Sequence, residues 1–129
     1  PPAFPLVRAC LLSGTFDKAT TEFSSPLIAG ERVWLVNSVG VLFELDLQTG
    51  QQVSTRRLPS GCWATGVSDG ERLYFFGVDG TAAVLSQSSG ETVATSQLST
   101  EGRVYGVAAA DGSFVARTGN RLVRIASKP

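Results

Sequence analysis

Gly30-Glu31-Arg32-Val33-Trp34-Leu35-Val36 returns forty residues later as Gly70-Glu71-Arg72-Leu73-Tyr74-Phe75-Phe76. The same spacing carries Gly40 to Gly80, Leu45 to Leu85 and Gly50 to Gly90, and continues through Val53 and Val93, Thr55 and Thr95, and Leu58 and Leu98. A third copy opens at Tyr105-Gly106-Val107, opposite Thr65-Gly66-Val67. It reaches Asp111-Gly112 with two residues inserted relative to Asp69-Gly70, and Ile125 regains the register of Leu45 and Leu85. A fixed period of this length marks a stacked repeat array.

Within a unit the pattern is one of short strands. Ser24 to Ile28 is a small apolar run closed by Ala29-Gly30-Glu31, and Arg32 to Val36 is rich in β-branched and aromatic residues. After Asn37-Ser38-Val39-Gly40 the chain alternates, placing Phe43, Leu45 and Leu47 on one face and Glu44 and Asp46 on the other. Gln48-Thr49-Gly50 supplies a turn, and residues 51–58 form a fourth, more polar strand suited to an outer edge. No segment sustains a 3.6-residue period, so the fold class is all-β.

Four strands per forty residues is the signature of a β-propeller blade. A blade packs on both faces, which explains inner strands that are apolar without alternation. A two-layer sandwich of twelve strands competes with this reading, and the fixed period argues against it. The units are expected at about 24–63, 64–103 and 104–126, the last completed by an N-terminal strand at 6–12. In that alignment Val7 matches Val53 and Val93, and Leu12 matches Leu58 and Leu98. The expectation is about three blades, forming part of a larger or homo-oligomeric ring. Three blades leave two apolar flanks in water, so association is expected, through a homodimer or through the remaining blades of a longer chain.

Composition narrows the function. The chain has 129 residues, 11 basic and 11 acidic side chains, and no histidine. Zero net charge argues against a nucleic-acid or anionic-membrane partner. Its apolar runs of four to five residues are far too short to span a membrane. Without histidine a Ser-His-Asp arrangement is impossible within the chain. Asp69, Glu71, Asp79, Glu91 and Asp111 fall in expected turns, where acids cap backbone groups, and no phosphate-binding loop occurs. Cys10 and Cys62 read as two small buried thiols, which leaves the redox compartment and the localisation open.

Residues 23–34, Phe23-Ser24-Ser25-Pro26-Leu27-Ile28-Ala29-Gly30-Glu31-Arg32-Val33-Trp34, and Phe43-Glu44-Leu45-Asp46-Leu47-Gln48-Thr49-Gly50-Gln51 resemble the PQQ-like (quinoprotein-like) β-propeller repeat. That family typically reads SPVVADGRVYVG followed by DGxLYALDAxTGKxxW, and the likeness covers most of residues 6–126. The family's docking tryptophan falls at Ser54 and Ala94 here. Its adjacent cysteines, calcium-binding carboxylates and catalytic aspartate have no counterparts. The resemblance therefore implies no cofactor and no metal. It points to the non-enzymatic members, such as the outer-membrane assembly lipoprotein propeller. The alternative it implies is a C-terminal accessory propeller of a larger enzyme, for example an adenylate-forming, acyl-CoA-synthetase-like protein.

The expected role is a non-catalytic scaffold for protein or ligand contact, made through loops between blades at one end of the central channel. The candidate contact residues are Asp17, Lys18, Trp63, Arg103 and Tyr105. Trp63 and Tyr105 read either as binding aromatics or as fillers between blades. Phe23 and Trp63 lie forty apart, a spacing that suits repeated packing, and Arg103 breaks that series. Arg56-Arg57 reads as a solvated outer-strand pair.

Overall fold

The computed structural model describes Phe16, residues 23–99 and residues 102–126. Strands β1 (Leu27–Ala29), β2 (Arg32–Val36), β3 (Val41–Asp46) and β4 (Gln52–Arg57) form one antiparallel sheet in sequence order. β5 (Val67–Ser68), β6 (Arg72–Phe76), β7 (Thr81–Ser86) and β8 (Thr92–Gln97) form a second sheet in the same order. β9 (Gly106–Ala110), β10 (Ser113–Arg117) and β11 (Leu122–Ala126) form a third, three-stranded sheet. The short strands β1, β5 and β9 lie side by side, so the sheets are arranged as propeller blades around their first strands. The expected strand at 6–12 lies outside the described residues.

Turn chemistry sets each strand end. The Asn37 side-chain oxygen accepts from the amides of Val39 and Val41, at 3.2 and 2.8 Å, and closes the β2–β3 turn. Asp46 Oδ1 accepts from the amides of Gln48 and Thr49, both at 2.9 Å. That cap ends β3 at Asp46 and puts Leu47 in an exposed turn, one residue short of the expected alternation. Gly50 and Gly90 follow these turns at the same positive φ of 72°. Both four-stranded sheets break register at the same place, between Glu44 and Leu45 and between Val84 and Leu85. Val53 and Val93 are the extra residues of these bulges, and both are exposed.

The blades are held by apolar packing between their flanks. Trp34, Val36 and Leu42 on the forward flank of blade one meet Leu73, Phe75, Ala83 and Leu85 on the rear flank of blade two. Phe76 and Ala82 on the forward flank of blade two then join Ala116, Phe114, Val107 and Ile125 of blade three. Val107 and Val67 take opposite parities: Val67 pairs with Tyr74, whereas Val107 pairs with Ala116. The sequence match of Tyr105-Gly106-Val107 to Thr65-Gly66-Val67 is therefore one residue out of structural register. The two valines approach the same interface from opposite blades.

Equivalent positions show how much a neighbouring blade contributes. Leu73 and Phe75 are 0% and 1% exposed, whereas Val33 and Leu35, forty residues earlier, are half-buried. Ile28, on the same flank, is 61% exposed. Leu73→Ala is expected to cost about 2–5 kcal/mol in urea unfolding. Val33→Ala, which removes less carbon from a half-buried position, is expected to cost about 1 kcal/mol.

Candidate functional site

Successive turns of a blade fall at alternate ends of the sheet stack. The β2–β3, β6–β7 and β10–β11 turns share one end with the inter-blade segments at 23–26, 58–66 and 102–105. The first–second strand turns and the third–fourth strand turns lie at the other end. The segment at 58–66 is fixed on both sides. Cys62 donates its amide to the Asn37 carbonyl at 3.4 Å in blade one, and the Gly61 carbonyl accepts from the Val78 amide at 2.9 Å in blade two. Gly61 sits so close that a Cβ there would lie 1.8 Å from the Ser38 carbonyl oxygen. Ser25 in turn donates its amide to Thr65 Oγ1 at 2.9 Å, joining two residues exactly one period apart.

These anchors decide where the aromatic rings go. Cys62 and Ala64 are buried, so Trp63 between them is directed outward. Ser24 is buried with its hydroxyl donated to the Val36 carbonyl at 2.7 Å, which leaves Phe23 beside it 58% exposed. Val104 is fully buried and Tyr105 follows it into solvent, its amide donated to the Arg117 carbonyl at 2.8 Å. The result is a row of rings across the three blades. Phe23 and Trp63 have centroids 4.4 Å apart, and Trp63 and Tyr105 are 5.4 Å apart. The Arg103 guanidinium lies 4.7 Å from the Trp63 centroid, and that of Arg117 lies 5.3 Å from the Tyr105 centroid.

Three of the candidate contact residues, Trp63, Arg103 and Tyr105, therefore converge. Asp17 and Lys18 lie outside the described residues. Arg103 leaves the ring series and caps its middle member instead, while Tyr105 supplies the third ring two residues later. Sequence reasoning left out Arg117 altogether and read Phe23 only as a packing residue. The pairing of β10 with β9 puts Arg117 beside Gly106, next to Tyr105, and no forty-residue match signals that.

The charges are segregated even though the net charge is zero. Among the described residues the aromatic end carries Arg57, Arg103, Arg117 and Arg121 against Asp79. The opposite end carries Glu31, Asp46, Asp69, Glu71, Glu91 and Asp111 against Arg32 and Arg72. The aspartates are occupied by turns. Backbone amides hold three of them below the ordinary carboxylate range: Thr49 foremost for Asp46, Arg72 for Asp69 and Thr81 for Asp79. At the acidic end a cleft of about 480 Å³ lies between blades one and two, lined by Glu31, Arg32, Glu44, Glu71 and Gln87 among others. Arg32 and Glu44 pair there: Arg32 Nε donates to Glu44 Oε2 at 3.1 Å, and its Nη1 to Asp46 Oδ2 at 3.2 Å. Arg56 is not simply solvated. It is half-buried and donates Nη2 to the Ser89 carbonyl of blade two at 2.9 Å, leaving Arg57 as the exposed member of the pair. Among the described residues, no three of Cys, Asp and Glu converge on a metal-sized site.

No protein-family model and no curated protein sequence matches the chain. Solved structures do. BamB from Moraxella catarrhalis superposes with a TM-score of 0.60 at 23% identity, over 72% of this chain and 29% of BamB. The computationally designed Ika8 protein gives 0.63 at 16% identity, over 78% of this chain and 31% of Ika8. The designed Ika4 protein gives 0.65 at 14%, over 86% of this chain and 76% of Ika4. The chain thus spans under a third of BamB and of Ika8. At these identities the likeness establishes the β-propeller fold.

Two expectations follow from this geometry. Gly61→Ala forces backbone apart at the inter-blade segment and is expected to lower stability by about 1–3 kcal/mol in chemical unfolding. Burial, with the nearby Asp79 charge adding to it, pushes the Cys62 thiol from an ordinary 9.0 up to about 12. The folded chain therefore keeps a proton that the unfolded chain gives up near pH 9. This contribution to stability is complete below pH 9 and falls away as pH rises toward 12. In a Cys10→Ser background, iodoacetamide at pH 8.5 should label Cys62 only as fast as the protein unfolds.

Proposed function

We propose that the chain is a non-catalytic propeller module that docks a protein partner through the row Phe23, Trp63 and Tyr105, with Arg103 and Arg117 flanking it. The observation that carries this reading is the row itself, three adjoining rings held partly in solvent by loops tied to two blades at once. Aromatic residues and arginine dominate the energetics of protein interfaces because they bury large area at low entropic cost. Here the loops are already ordered, so little further entropy is lost on docking. The guanidiniums lie against ring faces, which leaves their N–H edges available to a partner's carboxylates or carbonyls. The turn-bound aspartates support a structural role for the acidic end.

The test is retention of a partner from cells that produce the chain. Trp63→Ala is expected to weaken retention at least thirtyfold, the size of a 2 kcal/mol hot spot, with a thermal midpoint close to that of the parent. Val93→Ala, on the exposed outer edge of β8, is expected to retain the same partner fully. Undiminished capture by the Trp63→Ala protein would refute the proposal.

A further inference from the structure

The forward flank of each blade can be compared with itself twice within the molecule. The positions held by Trp34, Val36, Leu42 and Glu44 in blade one are held by Tyr74, Phe76, Ala82 and Val84 in blade two, and by Val115, Arg117, Leu122 and Arg124 in blade three. In the first two blades the apolar members face the next blade, and Val36, Leu42, Phe76 and Ala82 are buried. In blade three Leu122 is 75% exposed, Val115 is half-buried, and Arg117 and Arg124 are exposed. This flank keeps an apolar centre and gains two positive charges, one where a valine and a phenylalanine stand, the other where a glutamate and a valine stand.

A second copy of this chain would offer the rear flank of its own blade one, where Ile28 is exposed, Val33 and Leu35 are half-buried, and Phe43 meets Phe16 at 5.8 Å. Its residues are Ile28, Val33, Leu35, Phe43, Leu45, Thr55 and Arg57. They include no carboxylate and one further arginine. Seating them on blade three would desolvate Arg117 and Arg124 without a counter-charge, which opposes that association. We propose that the forward flank of blade three is an interface for a partner of different sequence: an apolar β-sheet face that carries carboxylates opposite Arg117 and Arg124. This inference concerns the flank; it shares Arg117 with the aromatic row, and Arg124 belongs to the flank alone.

The test supplies the missing charges on the chain itself. In blades one and two, Glu44 lines a cleft with Gln87 and Ser88, and Gln87 and Ser88 correspond to Leu47 and Gln48. The variant Leu47→Glu/Gln48→Glu, altered only at exposed turn positions, thus presents carboxylates where Arg124 of another copy would lie. Phe75 of the buried interface corresponds to Leu35, so Leu35→Glu added to that pair addresses Arg117. Association is read by trapping a disulfide between Ser25→Cys and Gly106→Cys in a Cys10→Ser background. Those positions correspond to the joined residues Ser25 and Thr65. With the native blade-one flank, cross-linking between copies is expected to be weak. The turn pair of glutamates should raise it at least tenfold, and 0.5 M NaCl or Arg117→Glu/Arg124→Glu should remove the gain. If the native flank cross-links as well as the glutamate variant, or if the gain survives charge reversal, the proposal is overturned. The turn-only variant keeps the test decisive if Leu35→Glu fails to fold.

Discussion

A propeller blade is too thin to bury its own side chains. Its four strands expose two faces, and in this chain both faces are apolar, so each blade is stable only when pressed against another. Leu73, Phe75 and Leu85 are almost fully removed from water because Trp34, Val36 and Leu42 cover them. One blade earlier Val33 and Leu35 remain partly wet, whereas Leu45, the counterpart of Leu85, is only 5% exposed. The hydrophobic contribution of such burial, about 25 cal/mol per Å², is therefore a property of neighbouring sheets and not of any single one.

Polar groups at these interfaces work around that apolar centre. Arg32 with Glu44 and Asp46 joins β2 to β3, and Arg56 on β4 reaches the Ser89 carbonyl of the next blade. Gly90 is set by its positive φ, as Gly50 is, and Arg56 lies within reach of its Cβ position. At the other end of the blades, the anchored segment around Gly61 converts stacking into a fixed surface. Rings that would otherwise be hidden are held outward by the burial of their immediate neighbours Ser24, Cys62, Ala64 and Val104.

Much of the fold is legible in the residues because a forty-residue period repeats glycines, leucines and bulge valines in one register. The all-β class and the strand pattern within a blade both follow from it. What escapes is whatever the period does not repeat. Leu47 leaves its strand because Asp46 caps a turn locally. Arg56 turns inward because a carbonyl on the next blade is within reach. Val107 shifts by one residue because the third unit carries an insertion. Arg117 joins the candidate site through strand pairing, a long-range relation that no spacing along the chain records. Phe23 reads as packing, and becomes surface only when its buried neighbour Ser24 is placed.

Native-state hydrogen exchange tests most directly the idea that blades stand only in company. The amides of β2, β3, β6 and β7 are expected to share one opening free energy equal to that of global unfolding, with β4 and β8 exchanging faster at the edges. Blade one opening independently, with its own free energy well below that of blade two, would contradict the account.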